Sequence, residues 1–211
     1  MIHHYINLVC WRSMLKIYEP ERDIVWVDSI SLLRLLSRFG CSASYLPGHF
    51  ILRMMGPYRN SNNEWFFLTS SYLNAINKND QIVLPLINDN RLPSNVVAKI
   101  QGLKSGTIIG IGISSPKQNF LAAELYKIRS DLEYHCLGAA LAQLGHVEQN
   151  EFKTLLLSKK GFGIIWFLLT QPRRTVSKLM ITLKEYLLIS LSPHHKEKFK
   201  QFMKICRISE T

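Results

Sequence analysis

Residues 108–118 read Ile108-Ile109-Gly110-Ile111-Gly112-Ile113-Ser114-Ser115-Pro116-Lys117-Gln118, an apolar β-branched run that breaks into a small, Pro-punctuated turn and then opens a helical pattern. A short, continuously apolar stretch of this kind predicts a strand buried on both faces of a parallel sheet, over 107–113. The glycines just before its end allow close approach of a backbone or a ligand. In open α/β sheets ligands lie at the carboxyl ends of strands, beside helix N-termini whose free N–H groups favour anions.

Working outward, short apolar runs predict further strands at 24–27, 65–68, 82–86 and 132–137. Helical spacing marks Ser29 to Phe39, with Ser29 as its N-cap, and then 72–76, 94–101, 117–129 and the chain from 151 onward. At the start, apolar positions 5, 6, 8, 9, 14, 15 and 17 predict one helix over 3–17, ending before Glu19-Pro20. Alternating strands and helices predict an α/β fold, a Rossmann-like and mostly parallel sheet with helices on both faces. We expect this domain over 1–160 and a helical, basic appendage over 161–211, whose removal would leave the α/β domain folded.

The 211 residues carry 26 Lys and Arg against 15 Asp and Glu, a formal charge of +11 with a pI near 9.6, which calls for an anionic partner. Much of the excess lies late in the chain: from Arg173 to Arg207 nine basic residues face two acidic ones, a net +7. Apolar clusters alternate with these lysines, a pattern that suits either helices lying on anionic lipid or an amphipathic helix packed on the domain with a solvated basic face. Basic residues interleaved with aromatics and a helix-turn-helix pattern are both missing, which argues against nucleic acid. The uncharged stretch Gly161 to Pro172 is too short to span a membrane, and the apolar start lacks a leader's cleavage site.

Cys10, Cys41, Cys136 and Cys206 have no C-x-x-C spacing, so they read as reduced thiols of a cytoplasmic protein. The pairs His3-His4 and His194-His195 are adjacent, and adjacent residues point to different faces, so no metal site is expected. Asp28 closes the apolar run Ile24 to Val27 just before the Ser29 cap. That places a carboxylate at a strand's carboxyl edge, where apolar surroundings raise its pKa.

These segments recur in a recognisable order. Gly112, Ser115, Pro116, Lys117 and Gln118 match a G-x-G-[SA]-P-K-Q-E segment; Gly138 and Gly145-His146-Val147 follow, then Gly161, Pro172 and Arg174 of a G-L-E-W-L-x-R-L-x-x-E-P-x-R segment. Upstream, Asp23 to Ser31 is similar to a strand ending in P-D-G-x-G, and Leu46-Pro47-Gly48 to R-x-P-G-x-D. In this order the chain resembles the WecG/TagA/CpsF glycosyltransferases, glycosyltransferase family 26.

The resemblance implies an inverting, metal-independent enzyme that uses no cofactor. It would move a sugar from a UDP-linked donor to a polyprenyl-diphosphate-linked sugar, on the inner face of the bacterial cytoplasmic membrane, in cell-surface polysaccharide synthesis. Asp28 takes the catalytic base position, Ser115, Pro116, Lys117, Gln118 and Gly138 the substrate-binding ones, and Arg173, Arg174, Lys178 and Lys184 face acceptor and anionic membrane. Homo-oligomerisation stays open. Departures fall at Ser29, Ser31, Tyr45, Phe50, Asn119, Gly163 and Phe167, and the family's first strand, ending in T-x-N, is read as missing or as lying upstream of an alternative start codon. They support an alternative, a catalytically impaired member acting as a binding or scaffold subunit.

Overall fold

The computed structural model describes residues 1–48, 50–51, 64–74, 76–84, 92–142 and 172–208. In chain order these form β1 (Ile2–Ile6), α1 (Trp11–Ile17), β2 (Asp23–Val27), α2 (Ile30–Arg38), β3 (Trp65–Thr69), β4 (Gln81–Val83), α3 (Ser94–Gln101), β5 (Ile108–Gly112), α4 (Lys117–Ile128), β6 (Glu133–Cys136), α5 (Ala139–Ala142), α6 (Pro172–Leu191) and α7 (Pro193–Ile208). The strands make one six-stranded sheet in the order β2-β1-β6-β5-β3-β4, and every pairing is parallel. The expected α/β architecture is thus the observed one.

Residues two apart along a strand share a face, and the two faces are packed differently. On one, Ile2, Phe66, Leu68, Ile109, Ile111 and Tyr134 meet Val96 and Ile100 of α3 and Leu121, Ala122 and Leu125 of α4. Farther along the same face, Ile6, Val25 and Val27 meet Trp11 and Met14 of α1, Leu32, Leu35 and Leu36 of α2, and Phe199, Phe202 and Cys206 of α7. On the other face Tyr5 and Phe67 pack with Leu137 and with Leu141 of α5.

Three expectations are corrected. The first 17 residues are not one helix: Ile2–Ile6 is a strand, second in the sheet, paired with β2 on one side and β6 on the other. Residues 72–74 and 76 are irregular, because the buried Gln81 amide binds the Leu73 N–H (3.0 Å) and the Leu73 and Ile76 carbonyls (2.9 and 2.8 Å) that a helix would have used. The late segment is not separable from the domain in its second half. Phe199 and Phe202 are fully buried, and Phe199 stands edge-on to Trp11 at 5.3 Å between centroids.

The β5 glycines also have a different use from the one expected. A Cβ at Gly110 would lie 2.6 Å from the Phe67 ring, and one at Gly112 would lie 2.5 Å from Leu141. Side chains from β3 and α5, rather than a ligand, occupy the space these glycines leave. Gly112→Ala is therefore expected to destabilise the fold by about 1–3 kcal/mol in urea titrations, the usual cost of overpacking a core. Cutting the chain after Leu191 removes α7 from the core around Trp11, and the cooperative thermal transition should be lost; a truncated chain that melts like the whole one would show that α7 is dispensable.

Candidate functional site at the carboxyl edge of the sheet

Asp28 lies one residue beyond β2, where its backbone N–H continues the ladder to the Ile6 carbonyl (2.8 Å). On the outer side of β2, Val27 is bridged by Tyr45, which carries the chain back across the sheet end to Pro47-Gly48. There the Gly48 N–H donates to Asp28 Oδ1 at 2.9 Å. Burial pushes the Asp28 carboxyl up to about 6, against the opposing pull of this N–H and of the positive charge of Lys178 on α6. The same carboxylate raises the Tyr45 hydroxyl, after desolvation the second cause of that shift, although the residue as a whole is exposed.

The β5–α4 turn arrives beside it. Ser115 hydrogen-bonds the Cys10 thiol, which in turn contacts Asn7 Oδ1 at 3.4 Å and feels the charges of Asp28 and Lys178. Burial holds Cys10 above the usual thiol range, so it is a packing and hydrogen-bonding group rather than a nucleophile. The Ser115 hydroxyl donates to Asn119 Oδ1 (2.9 Å), and the Asn119 amide meets His4 Nδ1 (2.8 Å). His4 Nε2 then points to Asp23 at 3.4 Å, and Asp23 is also held by Arg22 at 2.7 Å. Asn119 and His4 are fully buried, so this chain of polar groups fixes the turn from beneath.

Gln118 lies under the β6–α5 turn. Its side chain is buried, Oε1 has no hydrogen-bond partner, and the amide rests against Gly138, where a Cβ would come within 3.2 Å. Gly138 has a φ of +55°, which glycine adopts without strain. The neighbouring Leu137 carbonyl and Ala140 contact the Gly48 position, so the 137–140 turn lies between Asp28 and Gln118.

Of the residues expected at a site, Asp28, Ser115, Gln118, Gly138 and Lys178 are brought to this edge. Pro116 and Lys117 stand exposed at the start of α4, and Arg173 and Lys184 are exposed elsewhere on α6. Arg174 belongs to α6, and its side chain lies outside the described residues, as do Gly145-His146-Val147, Gly161, Gly163 and Phe167. Asn7, Cys10 and the His4–Asn119 pair were not expected.

Parallel pairing also brings His3 beside His135, with Glu133 accepting from both rings at 3.1 and 2.7 Å, a trio whose ligand atoms lie within 4.8 Å of one another. The two rings are stacked, 4.4 Å apart and 1° from parallel. The nitrogens that face one another across this trio, His3 Nε2 and His135 Nε2, are both directed at Glu133 Oε1. The Trp26 indole N–H donates to His3 Nδ1 (3.1 Å), which leaves the His3 proton on Nε2, facing Glu133. Hydrogen bonds from His135 and His3 hold the Glu133 carboxyl well below its ordinary range.

No protein-family model, curated protein or solved structure matches this chain.

An aspartate whose pKa is raised on folding stabilises the native state below its unfolded value of 3.8 and loses that contribution as pH rises through about 6. Asp28→Asn should therefore be more stable than the parent above pH 7, by on the order of 2 kcal/mol, with the difference vanishing below pH 4. Thermal melts across that range check the sign.

Proposed function

We propose that this protein is a glycosyltransferase that moves a sugar from a nucleotide-sugar, UDP-linked by resemblance, to a polyprenyl-diphosphate-linked sugar. The observation that carries the reading is Asp28: a carboxylate at the carboxyl edge of a parallel sheet whose burial tunes it to about 6. A general base needs a pKa near the working pH, and an acceptor hydroxyl must give up its proton as the anomeric carbon is attacked. Ser115 supplies a hydrogen-bonding group at the same edge, the unmet Gln118 Oε1 lies on the far side of the 137–140 turn, and Lys178 supplies positive charge for a diphosphate leaving group. The order of motifs along the chain supports the same reading.

An acceptor in the bilayer requires contact with the membrane. Leu179, Met180, Leu183, Leu187 and Leu191 are exposed on α6 beside the exposed cations Arg173, Lys178 and Lys184, which suits a helix lying on anionic lipid at the inner face of the cytoplasmic membrane. Among the described residues no helix is long and apolar enough to cross a membrane. One observation favours a binding or scaffold subunit instead: Tyr45, in the electrostatic field of Asp28, stands where the family has an arginine.

The test is mass-spectrometric detection of transfer from a panel of UDP-sugars to synthetic prenyl-diphosphate-linked sugars. Asp28→Asn should lower turnover by about 100-fold or more and leave donor binding intact, the usual cost of losing a general base. Unchanged turnover would remove Asp28 from the mechanism, and absence of transfer across the panel would favour the scaffold reading.

A further inference from the structure

The amino halves of β1 and β6 carry a second cluster, on the sheet face that Tyr5 and Phe67 share. We propose that His3, Glu133 and His135 form a site for one divalent transition-metal ion, zinc foremost. The inference does not rest on the transferase reading. His3 stands four residues before Asn7, the residue at the Asp28 edge, which is about 13 Å of strand, so this cluster is separate from that edge.

Sheet register assembles the ligand set. Glu133 and His135 are two apart on β6 and so share a face, and β1 sets His3 directly opposite His135. The adjacent His3 and His4 do face opposite ways, and the second imidazole comes from another strand instead. The three candidate ligand atoms lie within 4.8 Å of one another, with His3 Nε2 and His135 Nε2 at 3.1 and 2.7 Å from Glu133 Oε1. Atoms bound to a tetrahedral zinc at roughly 2.0–2.2 Å stand about 3.3–3.6 Å from each other. The carboxylate–imidazole spacings therefore need to open by only about half an ångström to admit the ion.

Two imidazoles and one carboxylate are also the donor set of open zinc sites, in which water takes the fourth position. Glu133, its side chain 41% exposed, gives that water and the ion a path from solvent. Behind the ligands, the Tyr5 hydroxyl lies 2.8 Å from His135 Nδ1. A hydroxyl accepts as readily as it donates, so it can hold an Nδ1 proton while Nε2 binds metal. Two adjustments accompany binding. The stacked rings turn about χ2, a broad torsion for histidine, until both Nε2 atoms aim at one point. His3 also moves its proton from Nε2 to Nδ1, where the Trp26 indole N–H now donates. An indole N–H cannot accept, so the ion displaces Trp26 from His3, a signature that the hydrogen-bonded trio alone does not give.

The experiment is calorimetric titration of the untagged, chelator-treated whole chain with zinc chloride, with magnesium chloride as the control. It is repeated with Glu133→Gln and with the double variant His194→Asn, His195→Asn, after thermal melts have confirmed that each folds. The proposal expects one zinc per chain and no competition from magnesium, which prefers an all-oxygen shell. Glu133→Gln should weaken zinc by about 100-fold or more, since even groups behind the ligands are worth roughly 10–100-fold. In the parent, zinc should shift the NMR signal of the Trp26 indole N–H, assigned with Trp26→Phe. Absence of binding at one equivalent, zinc affinity unchanged in Glu133→Gln, or a Trp26 signal that bound zinc leaves unmoved overturns the site. Binding lost only in the His194 and His195 variant assigns the ion to α7 and overturns it as well.

Discussion

Parallel pairing of β1 with both β2 and β6 is the constraint on which the remaining structure depends. It brings the ends of three strands to one level, so that Asp28, Asn7 and Gly138 follow one another across the same edge. It also sets the side-chain alternation of the whole sheet. Ile2, His4 and Ile6 turn toward the helices, and His3 and Tyr5 turn toward the face covered by Leu137 and Leu141. A one-residue slip of β1 would exchange these sets and bury His3 among the helices.

The helix-side polar groups show how such a sheet tolerates buried charge. His4 and Asp23 are buried side by side. Burial lowers the His4 pKa, and although burial alone would raise Asp23, Arg22 bonded to it and His4 beside it hold it at about 2. Arg22 satisfies Asp23, whereas His4 Nε2 faces it at 3.4 Å without hydrogen-bond geometry. The network runs from Arg22 near the amino end of the sheet to Ser115 at the carboxyl edge, and its consequence is positional. The β5–α4 turn is fixed by bonds to β1 as well as by its own backbone. Among the described residues Asp28 is bonded by the Gly48 N–H, and burial outweighs that bond in raising its pKa.

Much of this fold was legible in the sequence, because buried parallel strands and amphipathic helices leave periodic traces. The run 108–113 with its polar turn, the Ser29 cap and the α3 pattern all announce themselves within a dozen residues. The first strand did not. His3 and His4 interrupt its apolar reading, positions 5 to 17 also fit a helix, and only pairing with residues 23–27 and 133–136 decides between them. The two glycines of β5 signalled close approach correctly, yet sequence could not say that Phe67 and Leu141 were the approaching groups. Asp28 was visible as a carboxylate at a strand end. Its partner Gly48, the Cys10–Ser115 contact and the stacked His3 and His135 depend on chain crossings that no local pattern encodes.

The central claim is that folding converts Asp28 into a base poised near neutrality at the shared carboxyl edge of β1, β2 and β6. The most direct measurement is an NMR titration of the Asp28 side-chain carboxyl carbon in the folded chain, assigned by comparison with Asp28→Asn. The account predicts a midpoint near 6. A midpoint at or below the ordinary 3.8 would show a solvated or ion-paired carboxylate and contradict it.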